Sequence, residues 1–272
     1  MADRVRFTYL ETPFGQIHCA QAGDPAAAPL LCLHQTPRSW DEYREILPLL
    51  ADSLRVIAID TLGMGCSAPP PGEASIEVYA DGAVAALDAL DIDRASVMGH
   101  HTGGVIAVDI AARYPERVDR LVLSSTAWVD EAARERRRDR PPIDHVDMRP
   151  DGSHLVELWQ RRQGFYPPRR PDVLERFVHD AIAARDAEEG HLAVSRYRME
   201  DAVGRIVSPT LCIGASADPY AFPELEPLAR GIDGAMTAVV EGGTVGLLED
   251  KAPEVTGLVL AFLRSEADRR EP

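Results

Sequence analysis

Residues 95–104 read Ala95-Ser96-Val97-Met98-Gly99-His100-His101-Thr102-Gly103-Gly104, and Val-Ile-Ala-Val-Asp-Ile-Ala-Ala-Arg-Tyr follows. An apolar run, a glycine-bracketed turn and a second apolar run at helical spacing predict strand, sharp turn and helix. Gly99 and Gly103 supply small residues where a strained turn must pack between a strand and the helix leaving it, and such a turn lifts the side chain at its centre above the sheet. That side chain is His101. A Gly-x-Ser-x-Gly pattern would place a serine there.

Outward from this turn, strands and helices alternate. Val5–Leu10 and Gln16–Ala22 are rich in strand formers and flank the turn Thr12-Pro13-Phe14-Gly15, which predicts an antiparallel hairpin. Leu30–Leu33 and Leu54–Ile59 are wholly or largely apolar, as expected of strands buried on both faces. Between them Ser39 is placed to cap a helix running through Leu50. Ser75–Leu90 has helical spacing, and Val118–Leu123 reads as a further strand. From Val129 to Gly204 the alternation stops, giving way to helices and loops rich in arginine, proline and histidine. Strands resume at Thr210–Ile213 and Met236–Val240, Ala252–Leu263 reads as the closing helix, and Glu266 onward is a polar tail.

This order predicts an α/β fold with a mostly parallel sheet covered by helices on both faces. We divide the chain into a core of residues 1–128 and 205–272 and an inserted helical cap of residues 129–204. Ligands in such sheets bind outside the carboxyl ends of the strands. His34, Asp60, His101, Ser124 and Asp218 all fall at or just past predicted strand ends, where they can converge beneath the cap.

The 272 residues are 45% hydrophobic and 27% charged, enough to bury a large core. A net charge of −15 disfavours nucleic acid and anionic membrane surfaces as partners. Cys19, Cys32, Cys66 and Cys212 lie far apart and form neither a metal-binding pair nor a disulfide framework. With no signal segment and no apolar run of membrane-spanning length, the expected location is cytoplasmic. The expected partner is a small-molecule substrate, with a homodimer left open.

The sequence resembles the α/β-hydrolase fold family at four places, in the family's order. His34-Gln35-x-Pro37 resembles the family's oxyanion loop, and Asp60-x-x-Gly63-x-Gly65-x-Ser67 a common family segment. Gly99–Gly104 resembles the turn carrying the nucleophile, and Pro209–Pro219 the strand and loop carrying the triad acid, here Asp218. The Gly-His-His-Thr-Gly turn is similar to that of an atypical subgroup. Two positions depart from the pattern. His101 stands where the family has its nucleophile, and Thr244, in Glu241-Gly242-Gly243-Thr244-Val245-Gly246, where it has its general-base histidine.

The two departures are sterically complementary: an imidazole at the turn fills space that a smaller loop residue vacates. We therefore expect a His101–Asp218 dyad in which the carboxylate orients the ring and the other ring nitrogen moves a proton. By the resemblance, the backbone N–H of Thr102 and one from Gln35 or Thr36 form the anion hole. His34, His100, His154 and Trp159 complete the candidate substrate-binding residues. His154 is the first candidate, should a cap histidine replace the missing base.

Structural roles compete with these. His34 and His100 suit scaffold hydrogen bonds, Asp218-Pro219 is also a turn signal, and Thr244 also reads as a space-filler. The basic run Arg134, Arg136, Arg137, Arg138 and Arg140 reads as a solvated helix balanced by Asp130, Glu131, Glu135 and Asp139. No helical H-x-x-x-H spacing supports a metal at His34, His101 and Asp218, so no metal and no cofactor are expected. The favoured function is cofactor-independent hydrolysis of a small carbonyl compound, an ester, lactone or C–C bond, with His101 as general base. A lyase, decarboxylase or isomerase on the same site, and a catalytically silent ligand-binding protein, are the alternatives.

Overall fold

The computed structural model describes residues 5–138 and 140–265; Asp139 and the polar tail from Glu266 lie outside them. Eight strands, β1 (Arg6–Thr12), β2 (Gly15–Ala22), β3 (Pro29–Leu33), β4 (Arg55–Ile59), β5 (Ala95–His100), β6 (Val118–Ser124), β7 (Thr210–Ala215) and β8 (Met236–Val240), form one sheet. Their order is β1-β2-β4-β3-β5-β6-β7-β8. The hairpin β1–β2 and the pair β2–β4 are antiparallel, and every later pair is parallel. Strand β5 is buried at all six positions, as its continuous apolar character requires between two helical layers.

Ten α-helices accompany the sheet among the described residues. Helices α1 (Ile46–Leu50), α2 (Ile76–Ala89) and α3 (Thr102–Arg113) precede an insertion between β6 and β7 that holds α4 (Glu131–Arg137), α5 (Ser153–Arg162), α6 (Pro171–Ala183) and α7 (Glu189–Arg196). After β7 come α8 (Leu225–Gly231), α9 (Leu247–Asp250) and α10 (Ala252–Arg264). One core packs apolar residues of α2, α3 and α8 on one face of the sheet, and a second packs α1 and α10 on the other. The inserted helices have a small core of their own, built on Leu158, Tyr166, Val173, Leu174 and Phe177, and Val245 from the loop after β8 joins it.

Local chemistry explains where the elements begin and end. Ser75 takes the Val78 N–H at 3.2 Å and starts α2. Ser39 also acts as a cap, accepting from the Asp41 N–H at 3.3 Å, but the expected helix to Leu50 does not run unbroken. A single 3-10 turn occupies Trp40–Tyr43, and the α-helix starts afresh at Ile46. The cause is Pro48: in a continuous helix its ring would meet the Arg44 carbonyl, whereas in a helix starting at Ile46 it lies in the tolerant first turn.

Cys19, Cys32 and Cys212 are buried free thiols, and burial pushes Cys19 and Cys212 up to about 12. Cys66 is free and exposed. Among the described residues no helix is long and apolar enough to cross a membrane.

Candidate active site

The turn between β5 and α3 is built as its glycines demand. His101 takes φ 47° and ψ −113°, a conformation that non-glycine residues adopt only when their surroundings enforce it, at a cost of about 1–3 kcal/mol. Here the surroundings do enforce it. The His101 N–H donates to the Ser124 carbonyl at 3.0 Å, and the His101 carbonyl accepts from the Gly104 and Val105 N–H groups at 2.9 and 3.2 Å. A Cβ on Gly99 would lie 2.1 Å from the Gly103 carbonyl oxygen, and one on Gly103 would lie 2.0 Å from that of Leu33. On Gly104 it would meet the Thr126 side chain. All three positions are closed to any side chain.

The histidine thus lifted meets the acid that follows β7. His101 Nε2 lies 2.9 Å from Asp218 Oδ2, with the ring side chain 16% exposed and the carboxylate fully buried. Neither atom has an aligned hydrogen bond, so the contact is a close polar approach lying off the N–H direction. The other carboxylate oxygen accepts the Tyr220 and Ala221 N–H groups at 2.9 and 3.2 Å, which fixes the acid in its turn. Burial alone would raise the Asp218 carboxyl, but His101 and these two amides outweigh it and hold the group below the ordinary carboxylate value. A carboxylate at Nε2 keeps the ring proton there, so Nδ1 is the basic nitrogen.

His100 is fully buried beneath this pair, its ring edge-on to His101 at 4.6 Å between centroids. Its Nε2 must donate to the Val245 carbonyl at 3.1 Å, because a carbonyl can only accept; Nδ1 then accepts from the Ser124 hydroxyl at 3.0 Å. Burial lowers this ring to about 4, so it is neutral near pH 7. By the same logic His34 accepts the Thr61 N–H at Nε2 (2.9 Å) and donates from Nδ1 to the Gln35 carbonyl (2.6 Å). Both histidines use both ring nitrogens to tie strand-end loops together.

The loop after β3 resolves the choice between Gln35 and Thr36. The Gln35 N–H donates to Glu42 Oε2 at 2.7 Å and its side-chain amide donates to the other oxygen of the same carboxylate. That amide is committed, and the N–H of Thr36 is the remaining candidate from this loop. Gly190 of α7 is seated on Thr36 so closely that a Cβ would fall 2.0 Å from Oγ1, which brings the insertion directly onto the loop. Thr102 opens α3, where the first backbone N–H groups have no partner within the helix.

His154 and Trp159 lie on α5. His154 Nδ1 accepts the Arg149 N–H at 3.2 Å, and its ring lines a cleft of about 460 Å³ between the 144–148 loop, α5 and the α6–α7 connection. Neither this cleft nor a second of about 300 Å³ beside Asp109 and Tyr197 includes His101 or Asp218. The hydrogen bond that His154 makes goes to the 149 loop rather than to His101 or Asp218. Trp159, half-buried, packs against the insertion's own core. In the basic run, Arg134 pairs with Glu200, Arg136 approaches Glu224 at 3.6 Å and Arg138 pairs with Glu135. Asp139, one of the balancing acids expected there, lies outside the described residues.

A buried ion network next to the site was not read from the sequence. Arg38, completely buried, donates to Glu249 at 2.6 Å and to Asp180 of α6 at 2.9 Å, and lies 4.0 Å from Glu42. Burial raises the Glu249 carboxyl to about 7 against the lowering effect of Arg38. Burial would raise Glu42 too, but His100, Arg38 and the Gln35 amide together hold it low. Farther out, Asp144 is clamped by Arg162 through two contacts of 2.6 Å and receives His191 at 2.7 Å. Spacing along the chain could reveal neither cluster, since the partners are 47 to 211 residues apart at their longest reach. Arg38 beside the Pro37 turn is the one hint, as a cation in a loop otherwise ready for burial.

A family model described as the alpha/beta hydrolase fold matches residues 28–226, more than half of the chain. The 2-hydroxymuconate semialdehyde hydrolase of Pseudomonas sp. (strain CF600) is 44% identical over 108 residues, 38% of this chain and 38% of that protein. Bifunctional epoxide hydrolase 2 of Sus scrofa is 36% identical over 121 residues, 43% of this chain and 21% of that protein. The matches thus span well under two thirds of these relatives. Among solved structures, the enol-lactonase from Burkholderia xenovorans LB400 matches with a TM-score of 0.78 at 22% identity, covering 94% of this chain and 99% of that one. A thermophilic esterase from Thermogutta terrifontis matches at 0.76 and 23% identity, covering 96% and 98%. At these identities the structural likeness speaks for the fold.

Proposed function

The chain belongs to the alpha/beta hydrolase fold family, and from that premise we propose that it hydrolyses a small carbonyl compound (an ester, a lactone or a C–C bond beside a carbonyl) with His101 as general base in place of an elbow serine. The observation that carries this reading is the 2.9 Å approach of His101 Nε2 to Asp218 Oδ2 on a turn that still holds its strained backbone. An imidazole anchored at one nitrogen by a buried carboxylate presents its other nitrogen to a proton, which is the geometry that general-base catalysis requires. Asp218 orients the ring. The N–H groups of Thr36 and Thr102 receive the developing oxyanion, and both are backbone donors that survive the exchange of serine for histidine. The insertion acts as the cap that supplies the substrate's apolar surroundings. The named relatives support hydrolysis as the reaction type: one is a semialdehyde hydrolase and one an epoxide hydrolase.

The test is turnover of 4-nitrophenyl esters, small lactones and vinylogous β-diketones in 18O-labelled water by the wild type and by His101→Ala. Hydrolysis puts one solvent oxygen into the product, and that product disappears with the imidazole. Turnover without solvent oxygen would replace hydrolysis by a lyase or isomerase on the same site. Binding without turnover would make the protein a ligand carrier.

A further inference from the structure

Two residues that the backbone ties to the neighbours of His101 and Asp218 carry buried hydroxyls with no hydrogen bond among the described residues. These are Thr244 Oγ1 and Ser125 Oγ. Their placement is fixed by the bonds of their neighbours. The Gly243 carbonyl accepts the Ala217 N–H at 2.8 Å, which ties the residue before Thr244 to the residue before Asp218. The Val245 carbonyl accepts from His100 Nε2 at 3.1 Å, which ties the residue after Thr244 to the residue before His101. Thr244 is thus pinned from both sides between the base and its acid.

Ser125 comes to the same place from the sheet. His100 and Ser124 are register partners at the ends of β5 and β6, so His101 and Ser125 are the next residues along each strand. The Ser125 N–H donates to Ile213 on β7, the strand that leads to Asp218. Its φ of 44° is strained for a serine, and Ser125 is 2% exposed, so the hydroxyl is held rather than free to turn to solvent. Hydroxyls both donate and accept, a bare imidazole nitrogen accepts, and a water molecule is satisfied by two to four such partners.

We propose that Thr244 is a catalytic residue which, with Ser125, holds beside His101 the water that attacks the substrate carbonyl. This rests on the hydrolytic reading above and names its nucleophile. For an ester, one O–H bond of that water breaks as its proton passes to His101 Nδ1, and the water oxygen bonds to the carbonyl carbon. The carbon–alkoxide bond then breaks, and the alkoxide takes the proton from the imidazolium. One ester and one water give one acid and one alcohol, and no further reactant is needed. Threonine at this position is then the residue that makes a histidine at the turn useful, since a second imidazole in the loop would displace the water.

The experiment pairs a crystal structure at 1.5 Å or better with kinetics on 4-nitrophenyl acetate for the wild type, Thr244→Val, Thr244→Ser and Ser125→Ala. In the wild type, a water bonded to Thr244 Oγ1 and within reach of the His101 ring is expected; it should be lost in Thr244→Val, which has the same shape, and kept in Thr244→Ser. Removing one such hydrogen-bonding group should lower kcat about 100-fold at unchanged KM in Thr244→Val and about 10-fold in Ser125→Ala, with Thr244→Ser within about threefold of the wild type. A merely structural threonine would change Tm without this split, and serine would not rescue it. An active wild type without that water, or a Thr244→Val enzyme with full kcat, overturns the proposal while leaving the general base standing. A wild type that hydrolyses no ester refutes the hydrolytic reading first and the nucleophile's role with it.

Discussion

Replacing Asp218 by asparagine is the sharpest perturbation of the site, because it keeps the side chain's size while removing its charge and placing an amide donor where Oδ2 faced His101 Nε2. The side chain keeps its size, and its Oδ1 can still accept the Tyr220 and Ala221 amides that hold the turn at 2.9 and 3.2 Å. What is lost is the attraction between a carboxylate and the imidazolium that forms when His101 takes a proton. At 2.9 Å that attraction is about 6 kcal/mol for an effective dielectric constant of 20. The ring is 16% exposed and the approach is off the N–H direction, so roughly half of that ceiling, about 3 kcal/mol, is realised in the transition state. About 3 kcal/mol corresponds to a fall of roughly 100-fold in kcat/KM. The assay is ester hydrolysis from pH 5 to 9, with thermal unfolding run in parallel to show that the fold is intact. An asparagine variant that folds normally and retains kcat/KM within threefold of the wild type would refute the orienting role, and with it the dyad.

Three further outcomes are expected. Gly103→Ala places a methyl 2.0 Å from the Leu33 carbonyl oxygen and 2.8 Å from that of His34, both backbone atoms that cannot turn aside, so urea unfolding should show a loss of at least about 3 kcal/mol. Glu249 titrates at about 7 in the folded chain against an ordinary 4.5. Its protonated form therefore favours folding: the contribution is fully present below pH 4.5 and is lost as pH rises through 7, by roughly 3 kcal/mol in all. Glu249→Gln should flatten that decline, and unfolding curves at pH 5, 6, 7 and 8 with the wild-type slope unchanged would contradict it. Finally, His101→Ser combined with Thr244→His restores the family's residue types around an unchanged Asp218, and a fluorophosphonate should then label the double variant, seen as a mass increase, but neither the wild type nor His101→Ser alone.

The sheet, its parallel centre and the helical insertion were legible because each rests on a short-range pattern. The glycines at 99, 103 and 104, the apolar runs of β3 to β7 and the loss of strand alternation after Val129 are all local signals. The helix that was expected from Ser39 to Leu50 broke at a local signal as well, Pro48, whose ring could not sit in a helix already under way. Within the site, His101 and Asp218 were visible as residues just past the ends of two strands, β5 and β7. Which oxygens and nitrogens are committed was not visible, since that depends on contacts across the sheet. The Gln35 amide is taken by Glu42, and both nitrogens of His34 and His100 are taken by loops. Arg38 is the extreme case: its partners come from α9 and α6, and burial so complete becomes evident only when those helices are in place.

The strained turn bears on whether the histidine is a relic. A φ of 47° with a ψ of −113° costs free energy for any residue with a side chain, and glycine at this position would remove the strain. The glycines that enclose the turn are all closed to a Cβ, whereas position 101 points outward and accepts an imidazole that reaches a buried acid. A turn kept only for packing would be satisfied by a small residue at 101 and would leave Asp218 without the ring beside it. Instead the ring is long enough to span from β5 to the turn after β7, and the loop residue opposite is shortened to a threonine whose hydroxyl is left buried and unpaired. The two exchanges make chemical sense together: each alone would leave either a crowded pair of imidazoles or an empty space beside an isolated carboxylate.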